Sequence, residues 1–341
     1  MLSSGFLPAP VLPRHQLARL RRRLWRGWHA GIGRFLMPWD GNAGGEWQDV
    51  AEFGSNPARL AMRVFRPERA RRPGAALVML LHGCRQDAEE FAVSGGFVEA
   101  ARRHGFVLVL PEQAAANHHA RCFSWYSVAD TRRGRGEVLS LRQMIQAALR
   151  QFRCDPDRVF VAGLSAGGAM AAALLAAYPE TFAAGAVIAG LPVGCAGNAG
   201  EALLRMHDAG PAMMSPADWA ARITGQLDHK GRWPRLSIWH GDADRVVDPG
   251  NGENLARQWA ALHGIDLASA AIEHPAPGIS RRRWGHGRAP AVEAWRIAGL
   301  DHGFPVDEEA ARRRPASQWV MGTPVDATEA ILGFWHGSGL S

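Results

Sequence analysis

One serine is set apart by its neighbours among the residues able to do chemistry. Residues 159–168 read VFVAGLSAGG, so Ser165 stands in a G-x-S-x-G spacing between an apolar, β-prone run and an alanine-rich one. The spacing alone is short enough to recur by chance, and its context carries the weight. A buried strand that turns sharply into a helix lifts a serine hydroxyl onto a strained elbow. The flanking glycines are needed there because a side chain at either place would crowd the helix against the strand. A serine hydroxyl at its free pKa is inert and requires a base. In this kind of strand–helix alternation the acid and then the histidine follow in chain order, each on a loop after a later strand. RLSIWHG (235–241) runs into Asp242-Ala243-Asp244-Arg245-Val246-Val247-Asp248, and AWRIAGL (294–300) into Asp301-His302-Gly303-Phe304. His302 is the expected base, with His118 and His119 as rivals. Asp244 is the preferred acid, accepting from the imidazole N–H and fixing its tautomer; Asp242 and Asp248 are the alternatives.

Acyl transfer also needs donors aimed at the developing oxyanion, and each is worth roughly 3–4 kcal/mol of barrier. The elbow supplies one, the backbone N–H of Ala166. The second is expected from the loop after an earlier strand, where His82-Gly83-Cys84-Arg85-Gln86 places the Cys84 N–H. A reactive-thiol reading of Cys84 leaves it without a base.

The elements that must hold these residues follow from the apolar pattern. Two short strands are predicted within 46–53 and 59–66. ALVMLLHG (76–83), GFVLVLPE (105–112), VFVAG (159–163), AAGAVIAG (183–190) and RLSIWHG are continuous apolar runs of the kind buried on both faces of a parallel sheet. Helices are predicted over 87–103, 137–152, from 166, 251–263 and 324–336, with excursions at 113–135, 192–232 and 266–293. This alternation predicts an α/β fold, a mostly parallel central sheet flanked by helices, as a single catalytic domain over 41–341.

Of the net charge of +7, residues 1–40 carry +6, from seven arginines against Asp40. The remaining 301 residues carry +1, which does not suggest a surface that tracks phosphates, so no nucleic-acid partner is expected. The basic stretch RRRWGHGR (281–288) reads as a solvated loop. Leu17, Leu20, Leu24, Trp28, Ile32 and Phe35 make one helical stripe with arginines on the other faces. The helix either docks on the catalytic body or lies on an anionic surface through residues 14–37, such as a granule or membrane. Four cysteines show no metal spacing, and neither a P-loop nor a dinucleotide fingerprint is present, so no metal or cofactor is expected. Without a clear apolar h-region near the N-terminus a cytoplasmic location is favoured.

With these pieces assembled, the chain resembles the polyhydroxybutyrate (PHB) depolymerase family of esterases within the α/β-hydrolases, from about residue 60 to 336. The resemblance rests on LLHGCRQD (80–87), RCFSWY (121–126), RRGRGEV (132–138), DPDRVFVAGLSAGGAM (155–170), HGDADRVVDPGN (240–251) and GLDHGFPVD (299–307). It implies a triad of Ser165, Asp244 and His302, an oxyanion hole of Cys84 and Ala166, and cleavage of short-chain hydroxyalkanoate esters. Relatives act as feruloyl or acetylxylan esterases, which is the alternative substrate class. The resemblance makes Trp125 either a wall of the substrate pocket or a core tryptophan, and would set Cys122 near Cys84, within reach of a bridge. Secreted polymer-degrading members carry a signal peptide and an adsorbing domain, so the resemblance makes an extracellular location the alternative, although neither feature is expected in this chain. Their WNWF-like segment reads FSWY, and the Arg-rich segment is not shared. Soluble oligomers, amorphous surfaces or small esters are therefore expected over crystalline polymer. A binding protein for granule or membrane surfaces, with a vestigial hydrolase body, is the reading from a different class; a complete set of catalytic residues argues against it.

Overall fold

The continuous apolar runs form the middle of one sheet. The computed structural model describes residues 44–210, 214–285 and 289–340, within a compact unit that begins at Gly44. The expected segment 1–40 and the surface contact assigned to residues 14–37 lie outside the described residues. In chain order the strands are β1 (Gly45–Val50), β2 (Ala61–Pro67), β3 (Leu77–Leu81), β4 (Val107–Glu112), β5 (Val159–Leu164) and β6 (Ala184–Ile188). They continue with β7 (Arg235–Gly241), β8 (Ala271–Ala276), β9 (Ile279–Trp284), β10 (Val292–Ile297), β11 (Phe304–Asp307) and β12 (Val320–Thr323). The helices are α1 (Ala88–Ser94), α2 (Phe97–His104), α3 (Val128–Thr131), α4 (Gly136–Phe152) and α5 (Ala166–Ala177). After them come α6 (Ala199–His207), α7 (Pro216–Thr224), α8 (Gly250–Leu262), α9 (Glu308–Arg313) and α10 (Ala327–His336).

The main sheet has the order β1-β2-β4-β3-β5-β6-β7-β10-β9-β8, and β11 pairs with β12 apart from it. From β4 to β10 the neighbours run parallel, while β2 joins β4, and β9 joins β10, antiparallel. Every residue of β3, β5 and β6 is buried, as strands covered on both faces must be. On one face Leu141 of α4, Met170 of α5, Trp219 of α7 and Trp259 of α8 share a core. On the other, Phe91 of α1, Phe97 of α2 and Trp335 of α10 pack together with Trp239 of β7.

Several predicted elements differ. The single helix expected over 87–103 is two, because Gly95-Gly96, with Gly96 at φ 85°, interrupts it. The excursion at 266–293 is largely sheet, since β8 and β9 extend the edge. RRRWGHGR is accordingly no solvated loop over its first half: Arg281 and Arg283 on β9 pair with Glu273 on β8, and Arg282 Nη2 lies 2.6 Å from Glu253 Oε1. The register sets Glu273 opposite Arg281, a cross-strand pair of opposite charge. Residues 286–288 lie outside the described residues. Among the described residues no helix is long and apolar enough to cross a membrane.

Candidate active site

Between β5 and α5 the chain turns at Ser165 with φ 58° and ψ −120°, a conformation costly for any residue with a Cβ. The strain is held by its surroundings. The Ser165 N–H donates to Ile188 O of β6 at 2.8 Å, and its C=O accepts the first helical bond, from Ala169 N–H at 2.9 Å. Gly167 is obligatory, since a Cβ there would lie 2.3 Å from Leu81 O at the end of β3. Gly163 is equally constrained, its Cβ falling 2.3 Å from Gly167 O. Both glycines of the motif thus let α5 start directly against β3 and β5, which aims its unpaired first amides beside the serine.

The loop after β3 packs on this elbow. A Cβ on Gly83 would stand 3.5 Å from Ser165 Cβ. The next residue is Cys84, whose backbone N–H has no acceptor among the described residues. Its conformation is fixed from several directions. His82 is fully buried, its Nδ1–H donating to Gly83 O at 2.7 Å and its Nε2 accepting from Gln113 N–H at 3.1 Å. Burial pushes the His82 pKa down to about 4, so the ring is neutral and keeps this tautomer. Gln86 Oε1 accepts from Gly83 N–H at 2.6 Å, and Arg85 N–H donates to Ala120 O at 2.7 Å. A disulfide joins Cys84 to Cys122, and Cys154 and Cys195 are free and buried. Glu112 completes the frame, with Oε2 accepting from Ala88 N–H at 2.6 Å and Oε1 from Arg121 Nη1 at 3.0 Å.

Asp244 and His302 meet on the neighbouring strand ends. His302 Nδ1 lies 2.8 Å from Asp244 Oδ2, both residues more than nine-tenths buried. The carboxylate is saturated with donors: Oδ1 accepts from Val246 N–H at 2.9 Å and Val247 N–H at 2.8 Å, and Oδ2 also lies 3.2 Å from His240 Nε2. Burial alone would raise the Asp244 pKa, but the hydrogen bonds from His240 and His302 outweigh it and hold the group well below the usual carboxylate range. With its Nδ1–H committed to Asp244, neutral His302 carries its lone pair on Nε2. Asp301 joins the two loops, accepting from Arg245 N–H at 3.1 Å and Arg245 Nε at 2.9 Å.

The rival residues do other work. Asp242 Oδ1 accepts from Gly299 N–H at 2.7 Å, and Asp248 accepts from Gly250 N–H at 2.8 Å and Ala209 N–H at 3.1 Å. His118 and His119 stack on each other at 4.8 Å, and His118 Nδ1 accepts from Ala120 N–H at 3.2 Å. Trp125 is buried against the core that holds Ala166 and Met170, at 5.6 Å from the Tyr126 ring. Two site residues escaped the sequence reading. His240 was passed over as the end of a strand, and its place in HGD beside the acid was the available signal. Trp319 stands edge-on to His302 at 5.9 Å, and no local pattern marks it. Among the described residues no three His, Cys, Asp or Glu side chains converge as metal ligands would.

Comparison with known proteins places the chain. It matches the family described as Esterase PHB depolymerase over residues 60–276. It is 36% identical over 261 residues to poly(3-hydroxyalkanoate) depolymerase C of Paucimonas lemoignei, covering 76% of this chain and 62% of that one. It is 31% identical to an acetylxylan esterase of Coprinopsis cinerea, covering 76% of this chain and 70% of the relative. The solved acetyl xylan esterase from Aspergillus awamori superposes with a TM-score of 0.72 at 22% identity, over 86% of this chain and all of that one, which shows the shared fold. The chain spans less than two thirds of the depolymerase's length. By family match and by fold, it belongs to the PHB depolymerase esterases, on the α/β-hydrolase architecture.

Proposed function

We propose that the protein is a serine esterase that hydrolyses short-chain hydroxyalkanoate esters through an acyl-enzyme. The observation that carries the reading is the buried Asp244–His302 pair at 2.8 Å, on the loops after β7 and β10, in the same sheet as the β5 strand that ends in the strained Ser165 elbow. In this reading His302 Nε2 takes the Ser165 proton as the hydroxyl oxygen attacks the ester carbonyl. Asp244 stabilises the imidazolium that results. The oxyanion is met by the backbone N–H groups of Ala166 and Cys84, donors that engage fully only in the transition state. The imidazolium then protonates the departing alcohol, and His302 activates water to release the acid. The substrate class follows the 36% identical depolymerase. An acetylxylan-type specificity is the second reading, favoured by the 31% identical relative.

The test is ester hydrolysis by wild type and Ser165→Ala on p-nitrophenyl acetate, 3-hydroxybutyrate oligomers, amorphous PHB, acetylated xylan and methyl ferulate. Turnover of the oligomers, falling by about 10⁴-fold or more in the variant, is the expected result. Preference for acetylated xylan or ferulate would move the protein to the second specificity. Equal inertness of both proteins on the whole panel would end the catalytic reading.

A further inference from the structure

Arginines crowd one arc of the surface that the proposed mechanism does not use. Thr131-Arg132-Arg133-Gly134-Arg135-Gly136 turns through two left-handed glycines, Gly134 at φ 83° and Gly136 at φ 54°. The arc is anchored at its centre. Arg133 makes a double ion pair with Glu180, at 2.7 and 3.0 Å, donates to Ala177 O at 2.9 Å and lies over the Tyr178 ring. Gly134 N–H donates to Tyr178 Oη at 2.9 Å. On either side of this locked residue, the guanidinium groups of Arg132 and Arg135 have no partner among the described residues.

Both line a cavity of about 270 Å³ between the 125–135 segment and residues 193–196 and 222–227, lying over α5. Its apolar wall includes Trp125, Ala173 and Leu227. Four arginines line it, the fourth being Arg222, and among the described residues no lining side chain is acidic. Ala173 lies eight residues along α5 from Ser165, roughly 12 Å at 1.5 Å per residue. An apolar wall suits methyl and methylene groups, and a pair of unpartnered guanidinium groups suits a carboxylate, which arginine binds through paired N–H donors.

We propose that this cavity takes the free carboxylate end of an oligomeric hydroxyalkanoate ester. The assignment rests on the substrate class proposed above. It makes Arg132 and Arg135 selective for soluble oligomers with an acid terminus over neutral esters of the same length.

Equilibrium binding tests it without turnover. Ser165→Ala protein is titrated calorimetrically with the 3-hydroxybutyrate trimer as free acid and as methyl ester. The same titrations are run on Ser165→Ala carrying Arg132→Gln and Arg135→Gln, whose folding is checked by thermal unfolding. The acid is expected to bind about tenfold more tightly than the methyl ester, a preference of the size of one charge-assisted pair. That ratio should fall to about one in the arginine variant and shrink as salt is raised. Arg132→Lys with Arg135→Lys should restore part of it. A ratio near one in Ser165→Ala itself, a ratio untouched by the arginine changes, or no binding of either form overturns the assignment. Wild-type turnover of p-nitrophenyl acetate and of the trimer methyl ester is measured alongside. Failure there sinks the esterase reading, whereas turnover without acid preference sinks only the carboxylate site.

Discussion

Asp244 Oδ2 is shared by two imidazoles, and the second sets what the first can do. His240 Nε2 faces two acceptors, Asp244 Oδ2 at 3.2 Å and Val247 O at 3.0 Å, so it carries the proton, and its buried Nδ1 has no partner. The groups facing the carboxylate are His240 from β7, His302 from the loop after β10, and the Val246 and Val247 amides; the Arg245 guanidinium goes to Asp301 instead. Removing the His240 donor in His240→Phe leaves a more basic carboxylate, which binds the proton on His302 more strongly. The acid limb of the kcat/KM profile is expected to move to higher pH. The freed carboxylate also loses orientation, costing about tenfold in kcat, the worth of one hydrogen bond. His240→Gln, which keeps a donor, should recover part of both. A variant that loses thermal stability but keeps the wild-type pH limb would reduce His240 to a packing residue.

At the scale of elements, Glu137 in the first turn of α4 pins the 113–135 segment to that helix. Its Oε1 accepts from Gln113 Nε2 at 2.7 Å and its Oε2 from Ser124 N–H at 2.8 Å. Burial pushes its pKa up to about 7, above the roughly 4.3 of an unfolded glutamate. For a folded pKa that is raised, the stability contribution is complete below about pH 4.3 and is lost as pH rises through about 7. Relative to Glu137→Gln, wild type should therefore lose up to about 1.4 kcal/mol per pH unit across that window. Melting temperatures of the pair from acid to mildly alkaline pH check this, and a constant difference would contradict it. Glu137 could be read in the sequence only as one letter of RRGRGEV, because its burial depends on a segment that folds back over it. The central strands were legible because a strand covered on both faces must be a continuous apolar run. β8 was not: no residue of AIEHPA is buried, and its pairing with β9 sets Glu273 among arginines rather than joining apolar residues. Ser165, Asp244 and His302 were legible because each closes a readable strand or its loop. Trp319 was not, since only the pairing of β11 with β12 returns the chain to His302.

Over the whole molecule, the proposed oxyanion donor at Cys84 is held by a part of the chain that belongs to neither the elbow nor the Asp244–His302 pair. The disulfide to Cys122 closes a separation of 38 residues and, with Arg85 N–H on Ala120 O, ties the loop after β3 to the excursion after β4. Closing a loop of that length is worth about 4 kcal/mol in the chain-entropy account, so the Cys84→Ser/Cys122→Ser protein should unfold at distinctly lower denaturant. Its effect on catalysis should be separable. If the Cys84 amide is the oxyanion donor proposed above, loosening it weakens a contact of the transition state and hardly touches ground-state binding, so kcat is expected to fall by about tenfold with little change in KM. A rise in KM at constant kcat would instead assign the bridge to the substrate pocket. Such bridges persist in oxidising compartments and are reduced in the cytoplasm, so the bridge and the cytoplasmic location favoured by the sequence make opposite demands. Thiol titration of unreduced protein, unfolded under alkylation control immediately after isolation, decides between them. Two free thiols, Cys154 and Cys195, mean that the protein matures where its oxyanion loop is locked. Four mean that the loop works unlocked in the cell, and that oxidation would then raise kcat towards the bridged value.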